Sequence, residues 1–496
     1  MTTPTTDSRF HEFGSPQRDI SATVAGAAVS RATRETLTRW RVHRLVWVTD
    51  SLPHGLGTGP NRWAAASSEP ENLGPRCWSG DVEVDVRSPL TAQAFHAMLL
   101  AEQVAYLRTW KPEKSNWDGP MREGLAGILQ EEVKSQPLPF LENARQFTQL
   151  DPLYSTALVR GFSEGLNGKT VSDWKPFWAF ANWVLAQPDP ETEIRDEFTG
   201  KTRLGRRWQS CRLDIARFLD ATLDGKLALL PLIERASVWQ VIDALRCDPS
   251  PVPADEARED ECIMDPLPSS LNSVRGVAVN TVFSFIRWIR SHSPDVARGG
   301  QNLDDVPEAR EALEACLNLQ LALPLTIRSA FGANLTRLAY WAEAWLRDHL
   351  EQICPVPSEK EQPNIAWETF IRFCSVDSKT LALLREHYSA AILRTSQPGL
   401  AGHRRQDARV NLGKNLVMSY GHGMLDFEQP GDLLAAFFAH APGSVRAEVM
   451  TFVGSSLAQS AGSIPPGIFA RLLKLWNWLV QRENPAGGPG FQDRVA

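Results

Sequence analysis

Apolar residues recur along most of the chain at intervals of three and four, the spacing of one face of an α-helix. Between Gly332 and Ile353 one apolar stripe dominates, while Arg337, Glu343 and Arg347 face away from it. The stripe consists of Leu335, Leu338, Ala339, Ala342, Trp345, Leu346 and Leu350. We predict a single amphipathic helix over these residues.

The same periodicity predicts helices from one end of the chain to the other, joined by short connections rich in Pro, Gly, Asp and Ser. Strand signals are nearly absent, and the alternating VEVDV at 82–86 is interpreted as an extended connector. The pattern therefore predicts an all-α protein. The other predicted helices cover 18–31, 35–50, 91–110, 121–134, 150–164, 174–187, 203–222, 229–246, 270–291, 305–317, 320–330, 378–394, 405–419, 430–440, 443–458 and 465–481.

Helix pairs of about 35 to 50 residues recur without a strict repeat, which favours stacked antiparallel pairs over a closed bundle. Bulky residues at helical spacing return in WKPFWAFANWVL (174–185) and in IFARLLKLWNWLV (468–480). We predict an α-α superhelix, or solenoid, of degenerate HEAT- or TPR-like helix pairs. Its tryptophans are expected to serve packing between helices.

Two interruptions suggest the organisation of the chain. Residues 52–80 are crowded with Pro, Gly and Ser and are predicted to form a long loop. The stretch 248–270 combines prolines with seven acidic residues and one arginine, so it suits a hinge. We predict an N-terminal helical-repeat region over 1–260 and a C-terminal one over 261–496.

Composition places the chain among ordinary globular proteins. Of 496 residues, 43% are hydrophobic and 22% charged, and 17 tryptophans against 5 tyrosines is the one unusual count. The formal net charge is -6, which equals the local charge of 248–270, so the remainder is neutral. A neutral bulk argues against a dedicated nucleic-acid-binding protein, for which a strongly basic domain is expected.

The distribution of cysteines and the hydropathy of the chain indicate the cellular compartment of the protein. The seven cysteines are scattered without a Cys-x-x-Cys or paired histidines, which predicts reduced, partly buried thiols and no metal site. The N-terminus has no apolar core of a signal peptide, and no apolar run approaches the length of a membrane span. A cytoplasmic protein without a membrane partner is expected.

The octapeptide SEGLNGKT at 163–170 ends like a phosphate-binding loop, which needs Gly-x4-Gly-Lys-Thr between a buried strand and a helix. Here Ser163 occupies the first glycine position. A helix starting at Gly168 would place Pro176 in its second turn, at a cost of roughly 3 kcal/mol. With Asp173 as the N-cap, Pro176 occupies the third helical position, where a backbone N–H has no hydrogen-bond partner within the helix. We therefore predict a helix lead-in and no nucleotide cofactor.

Arginines are the candidate binding residues. Arg203, Arg206 and Arg207 share about a third of the circumference of the predicted helix and occupy its first turns, where the helix dipole disfavours positive charge. An acidic partner, a phosphate or upstream glutamates would offset that cost. Arg404 and Arg405 form a second basic pair. A solvated face remains the alternative for the first group and for the arginines scattered through 31–44, and a turn remains the alternative for 402–409.

Two candidates for catalysis are set aside. His422 between two glycines lacks a recognisable nucleophile or carboxylate motif nearby and is interpreted as a helix C-terminal signal. Glu131 and Glu132 are predicted to point to different helix faces, so they cannot act as an acid and base pair. No catalytic residue is predicted.

Three passages together resemble a known family: 269–289, 331–355 and 412–457. They are similar to the helical-repeat C-terminal regions of bacterial antiviral STAND-type ATPases, and 172–187 extends the resemblance. The resemblance implies a ligand-recognition arm that senses phage proteins, here without the ATPase and effector regions. It implies no catalytic residue, because no catalytic position of the family has a matching position in this sequence. We expect Asn272 and Arg275 to form helix-end or inter-repeat hydrogen bonds and Gly276 to allow close helix approach.

The sequence thus favours a non-enzymatic repeat protein that binds a protein partner, as a sensor arm or accessory subunit in antiphage defence. Nucleic-acid binding by the basic helices is the alternative. An enzyme with an unrecognised site would require a pocket of convergent titratable side chains.

Overall fold

A computed structural model of the chain describes residues 87–112, 119–189, 193–195, 202–204, 208–227, 230–249, 266–292, 302–317, 324–356, 364–396, 408–459 and 464–483. The predictions for 18–31, 35–50, 52–80 and 82–86 lie outside these ranges. The predicted division near residue 260 also lies outside them. Residues 85–496 group into one compact unit.

Helices dominate the described residues, which confirms the all-α class. Twenty α-helices occur in these ranges: α1 Ala92–His96, α2 Leu100–Thr109, α3 Arg122–Ser135, α4 Pro137–Glu142, α5 Pro152–Gly165, α6 Lys175–Leu185, α7 Trp208–Leu223, α8 Arg235–Arg246, α9 Pro266–Leu271, α10 Val274–His292, α11 Pro307–Leu317, α12 Leu325–Trp341, α13 Glu343–Ile353, α14 Ile365–Phe373, α15 Ser378–Leu383, α16 Arg385–Leu393, α17 Ala408–Gly421, α18 Leu433–His440, α19 Gly443–Gln459 and α20 Pro466–Glu483.

A short antiparallel ribbon is the departure from this pattern. Strand β1 (Glu193–Arg195) pairs with β2 (Thr202–Leu204), with Ile194 opposite Arg203. The helix predicted over 203–222 is therefore wrong at its start, and α7 begins at Trp208. Backbone groups that bond to a neighbouring strand cannot also enter a helix, and this pairing depends on residues before the predicted element.

The predicted helix over 332–353 is wrong in its continuity. Helix α12 ends at Trp341, and α13 starts at Glu343 after Ala342, whose φ and ψ are -145° and 49°. Arg290 Nη1 donates to the Trp341 carbonyl at 2.7 Å and satisfies an acceptor at the end of α12. The buried stripe nevertheless continues across the break at Trp345. The predictions over 91–110 and 378–394 are likewise each divided into two helices.

Two sets of helices organise the compact unit. Each member of the first set packs against the next, and we name this set layer A: α3, α5, α7, α10, α12, α14, α17 and α20. In the second set, α4, α6 and α8 also pack in sequence, and α16 packs against α18. Helices α7 and α8 both contact α10, so packing continues from one side of the acidic stretch to the other.

Aromatic side chains fill the space between these helices. Phe177 on α6 is fully buried, with its ring centroid 4.9 Å from that of Phe218 and 5.1 Å from that of Trp178. Trp174 stacks on Trp178 at 5.7 Å, and Phe162 of α5 joins the same group. The predicted packing role of tryptophan is confirmed here, and the Trp178 indole N–H donates to Glu234 at 2.7 Å.

Candidate functional site

Of the five arginines that the sequence nominated, only Arg203 lies in the described part of the chain. Arg203 lies in strand β2, where the backbone pairs with Ile194. Arg206, Arg207, Arg404 and Arg405 lie outside the described residues. Their proposed binding role stays a prediction.

The octapeptide at 163–170 does not follow a strand. Helix α5 runs through Ser163 to Gly165, and Gly168 then turns with a φ of +68°. Helix α6 begins at Lys175, whose backbone N–H donates to Asp173 Oδ1 at 3.0 Å. The helix lead-in is confirmed, since a phosphate-binding loop would need the buried strand that α5 replaces. The N-cap is Trp174, one residue after the predicted Asp173.

The remaining sequence candidates serve helix structure. Glu132 is buried and accepts from His96 Nδ1 at 2.8 Å, whereas Glu131 is exposed, so the two carboxylates do point apart. His422 directly follows α17 and its N–H donates to the Met418 carbonyl at 3.0 Å, as in a helix C-terminus. Both interpretations are confirmed.

The residues quoted for the family resemblance make the expected packing contacts. Asn272 Oδ1 accepts from Arg217 Nη2 of α7 at 2.7 Å, and Arg275 Nη2 donates to the Pro249 carbonyl at 3.4 Å. A Cβ at Gly276 would lie 2.2 Å from the Ser270 carbonyl oxygen, so only glycine allows this approach.

Polar side chains bridge neighbouring helices of layer A. Lys134 of α3 contacts Glu164 of α5 at 3.1 Å, and Arg160 contacts Asp214 of α7 at 2.7 Å. Farther along, Asn334 of α12 donates to Asn280 of α10 at 2.9 Å. Each bridge lies between consecutive helices of the layer, so the polar contacts follow the order of its helices.

The densest group of these contacts joins α7, α10 and α12, and we name it the central cluster: Asp220, Asp224, Ser284, Arg287, Asn334 and Arg337. Ser284 Oγ donates to Asp220 Oδ1 at 2.7 Å, one helical turn from the pair formed by Arg287 Nη2 and Asp224 Oδ1 at 2.6 Å. Arg337 Nη1 donates to Asn334 Oδ1 at 3.0 Å and lies within electrostatic range of both carboxylates.

The two carboxyl groups of the cluster have pKa values shifted in opposite directions. Burial raises the pKa of Asp220, against the opposing effect of the Ser284 hydrogen bond. Burial would also raise the pKa of Asp224, but the hydrogen bond from Lys226 and the charge of Arg287 outweigh it and hold that pKa below its usual range. The opposite shifts thus follow from burial at Asp220 and from ion pairing at Asp224.

The surface beside the cluster presents groups suited to binding. Arg337 is exposed on α12, and Tyr340, three residues later on the same helix face, is 71% exposed. A guanidinium offers several N–H donors to a carboxylate or phosphate, and a tyrosine ring adds apolar area with a hydroxyl. This arrangement can therefore contact both charged and apolar groups of a ligand.

Changing Asp220 to asparagine should raise stability at neutral pH. Because the pKa of Asp220 is raised in the folded protein, ionising its carboxyl group destabilises the folded state. This destabilisation is absent at a pH below the pKa of the unfolded chain and is complete once the pH has risen through the pKa of the folded protein. Asparagine is neutral, and its Oδ1 can still accept from Ser284. In urea unfolding, Asp220→Asn should therefore have a higher midpoint than the wild type at pH 7, with the difference vanishing in acid.

Asp224→Asn is the matched control, because the pKa of Asp224 is lowered and its ionised form contributes stability above the unfolded pKa. It should be less stable than the wild type at pH 7. A lower midpoint for Asp220→Asn at pH 7 would contradict the argument.

Sequence reasoning missed the central cluster. A signal was present, since Asp220 and Asp224 are four residues apart and Asn280, Ser284 and Arg287 follow helical spacing on α10. Such a stripe is typical of any solvated helix face. Only the packing of three helices shows that these stripes meet.

Neither a metal-ligand cluster nor a membrane-spanning helix occurs in the described ranges. These residues hold no group of three or more His, Cys, Asp and Glu side chains placed to bind a metal ion. None of their helices has the length and hydropathy to cross a bilayer. Comparisons with protein-family models, with curated proteins and with solved structures each give no match.

Proposed function

We propose that this chain is a non-enzymatic helical-repeat protein that binds a protein partner through layer A, centred on Arg337 and Tyr340. The observation that carries this proposal is the exposed Arg–Tyr pair on α12 beside the central cluster. Arginine and tyrosine are enriched among residues that dominate protein–protein binding energy.

The sequential packing of layer A supports a superhelical arrangement of helix pairs. Stacked repeats form extended surfaces in which each helix adds one strip of side chains, a geometry suited to recognising a large partner. The polar bridges between α3 and α12 would fix the spacing of those strips. A solenoid of HEAT- or TPR-like pairs is thus the architecture we propose for the described region.

The resemblance to the repeat arms of STAND-type ATPases gives the biological setting of the proposal. In that setting the chain is a sensor arm or accessory subunit that recognises a phage protein, while another subunit supplies the effector activity. The proposal needs no cofactor, because recognition rests on shape, charge and hydrogen bonds.

Co-purification of the tagged full chain from phage-infected and uninfected bacteria, followed by mass spectrometry, tests the function. We expect a protein captured only from infected cells, retained after nuclease treatment, and lost with Arg337→Glu/Tyr340→Ala. The control is Arg347→Ala on α13, whose side chain is 63% exposed and pairs with Glu343 on its own helix.

Capture that is equal for both variants would reject the Arg337–Tyr340 surface. Nuclease-sensitive capture that weakens with salt, and with Arg203→Glu/Arg206→Glu, would instead support the nucleic-acid alternative.

A further inference from the structure

Four consecutive helices of layer A each present one solvent-accessible arginine. We name this set the arginine row: Arg160 on α5, Arg217 on α7, Arg287 on α10 and Arg337 on α12. The Arg160, Arg217 and Arg287 side chains are 53%, 43% and 41% exposed, and Arg337 is exposed as well. Each helix in this part of the layer therefore adds one guanidinium group to the surface.

Ion pairs with α7 hold three of these guanidinium groups on one surface. Arg160 Nε donates to Asp214 Oδ2 at 2.7 Å, and Arg217 Nη1 lies 3.6 Å from Asp214 Oδ1. Arg287 Nη2 lies 2.6 Å from Asp224 Oδ1. Asp224 continues the last turn of α7, and the 3.6-residue period places it about 80° around the helix axis from Asp214. The three arginines therefore border the same side of α7.

Arg337 joins this surface through α10. Its Nη1 donates to Asn334 Oδ1 at 3.0 Å, and Asn334 Nδ2 donates to Asn280 Oδ1 of α10 at 2.9 Å. Asn280 lies one turn before Ser284, whose Oγ donates to Asp220 Oδ1 of α7 at 2.7 Å. Hydrogen bonds thus connect Arg337 step by step with the side of α7 that carries the other three arginines.

The cations of this surface are more exposed than the anions. Asp214 and Asp224, which pair with the arginine row, are only 9% and 13% exposed. Lys226 is exposed, contacts the second oxygen of Asp224 at 2.8 Å and adds a further cation. The row ends towards α3, where the exposed Glu164 pairs with Lys134. The outer layer of the surface is therefore positively charged, and the carboxylates lie beneath it.

The spacing of the row matches an extended polypeptide. Packed helices lie about 8–10 Å apart, so successive arginines of the row are separated by about that distance across the layer. An extended chain advances about 3.3 Å per residue, so every third residue recurs after about 10 Å. Carboxylates at every third position of such a chain would meet successive arginines.

We propose that the arginine row binds an extended acidic segment of the protein partner, with a carboxylate at every third residue. This inference rests on the proposed function, because it names the chemistry that the partner presents to layer A. A guanidinium group can donate two parallel hydrogen bonds to a carboxylate, which adds geometric specificity to the attraction of opposite charges.

A nucleic-acid strand fits the row less well. Each strand of a duplex carries a phosphate about every 3.4 Å along the helix axis, a denser charge than one arginine per helix provides. The carboxylates beneath the row also repel a continuous polyanion. An acidic polypeptide with spaced charges avoids both problems.

The test measures the binding of fluorescein-labelled peptides to the full chain by fluorescence anisotropy. The probe carries four aspartates, one for each arginine, at every third position and separated by Gly and Ser. We expect binding that weakens as salt rises. A peptide with the same aspartates side by side should bind more weakly, because they reach fewer arginines, and a peptide with asparagine at the same positions should not bind.

Arg287→Gln/Arg337→Gln should weaken binding of the spaced peptide by roughly two- to thirty-fold, the effect of two exposed ion pairs. Asp224 keeps Lys226 as its partner in this variant, so the chain should fold, and an unchanged thermal midpoint checks this. Arg337→Gln alone is the second variant, because it leaves the ion pairs of α7 unchanged.

The matched control is Arg310→Gln/Arg347→Gln, which removes the same charge from α11 and α13, outside layer A. It should bind the spaced peptide as the wild type does. Equal losses in the two double variants, or equal binding of the spaced, adjacent and asparagine peptides, overturns the inference. Tighter binding of an oligothymidylate of the same length, at the same salt, overturns it in favour of a phosphate ligand.

The outcome is distinct from that of the co-purification experiment. A chain that captures a protein from infected cells but does not bind the spaced peptide keeps the proposed function and overturns this inference. A chain that binds the spaced peptide as expected but captures no protein supports the acidic ligand of the row and rejects the sensor role.

Discussion

Arg290→Ala is expected to lower the free energy of unfolding by about 3–5 kcal/mol, the usual cost of breaking a buried ion pair. The Arg290 side chain is 7% exposed and binds both carboxylate oxygens of Asp305, at 2.7 and 2.8 Å. It also donates to the Trp341 carbonyl at the end of α12. Truncation leaves a carboxylate that is 11% exposed and a helix-end carbonyl without these donors. Urea unfolding of the variant and wild type measures the loss.

The control for this prediction is Arg347→Ala, because the Arg347 side chain is 63% exposed and its pair with Glu343 should contribute little to stability. Equal losses for the two variants would contradict the buried role of Arg290.

The Arg290 effect should also depend on pH. Burial alone would raise the pKa of Asp305, but the hydrogen bonds and charge of Arg290 outweigh it and lower that pKa. The ion pair therefore stabilises the fold fully at a pH above the carboxyl pKa of the unfolded chain, about 4. This stabilisation is lost as the pH falls through the lower pKa of Asp305 in the folded protein. The difference in the free energy of unfolding between wild type and Arg290→Ala should therefore become smaller at acidic pH. A difference that grows below pH about 4 would contradict this linkage.

Gly332→Ala is expected to destabilise the protein by about 1–3 kcal/mol or more, although the change adds a single methyl group to a helix. A Cβ at Gly332 of α12 would lie 2.3 Å from the Ala366 carbonyl oxygen and 2.8 Å from the Ala366 Cα of α14. These are backbone atoms, which cannot move aside as a flexible side chain does. The substitution must push α12 and α14 apart, and a lower thermal midpoint reports it.

Gly127→Ala is the matched control on α3. A Cβ there meets nothing within 4 Å, so alanine should stabilise the helix by about 0.5–1 kcal/mol. The same substitution is thus expected to have opposite signs at two helical glycines. A stabilising effect at Gly332 would mean that the two helices do not approach as closely as described.

The helices were largely predictable because their burial is periodic in the sequence. Helices α3, α5, α10, α17, α19 and α20 begin or end within a few residues of the predicted bounds. Local signals also placed the helix lead-in at Asp173 and the helix end before His422. Each of these features depends on residues within about one or two turns, so no long-range information was needed.

The candidate site could not be found in the same way. Asp220 and Ser284 are separated by 64 positions, and each alone looks like an ordinary polar residue of an amphipathic helix. Their contact depends on α7 and α10 packing at one angle and register. The arginines that the sequence favoured stood out because they are adjacent along the chain, and that adjacency carries no information about which helices lie beside them.

By itself the sequence determined that the described part of this protein is helical, that tryptophans such as Trp174 and Trp178 pack between helices and that Gly276 permits close approach, because side-chain periodicity and backbone sterics act locally. Tertiary structure alone decided the break at Ala342 and the meeting of Asp220, Ser284 and Arg337. In each case the residue that makes the deciding contact is distant in the chain. Arg290, for example, donates a hydrogen bond to the Trp341 carbonyl across 51 positions. Hydrogen bonds and charges over such separations form only after the helices have packed.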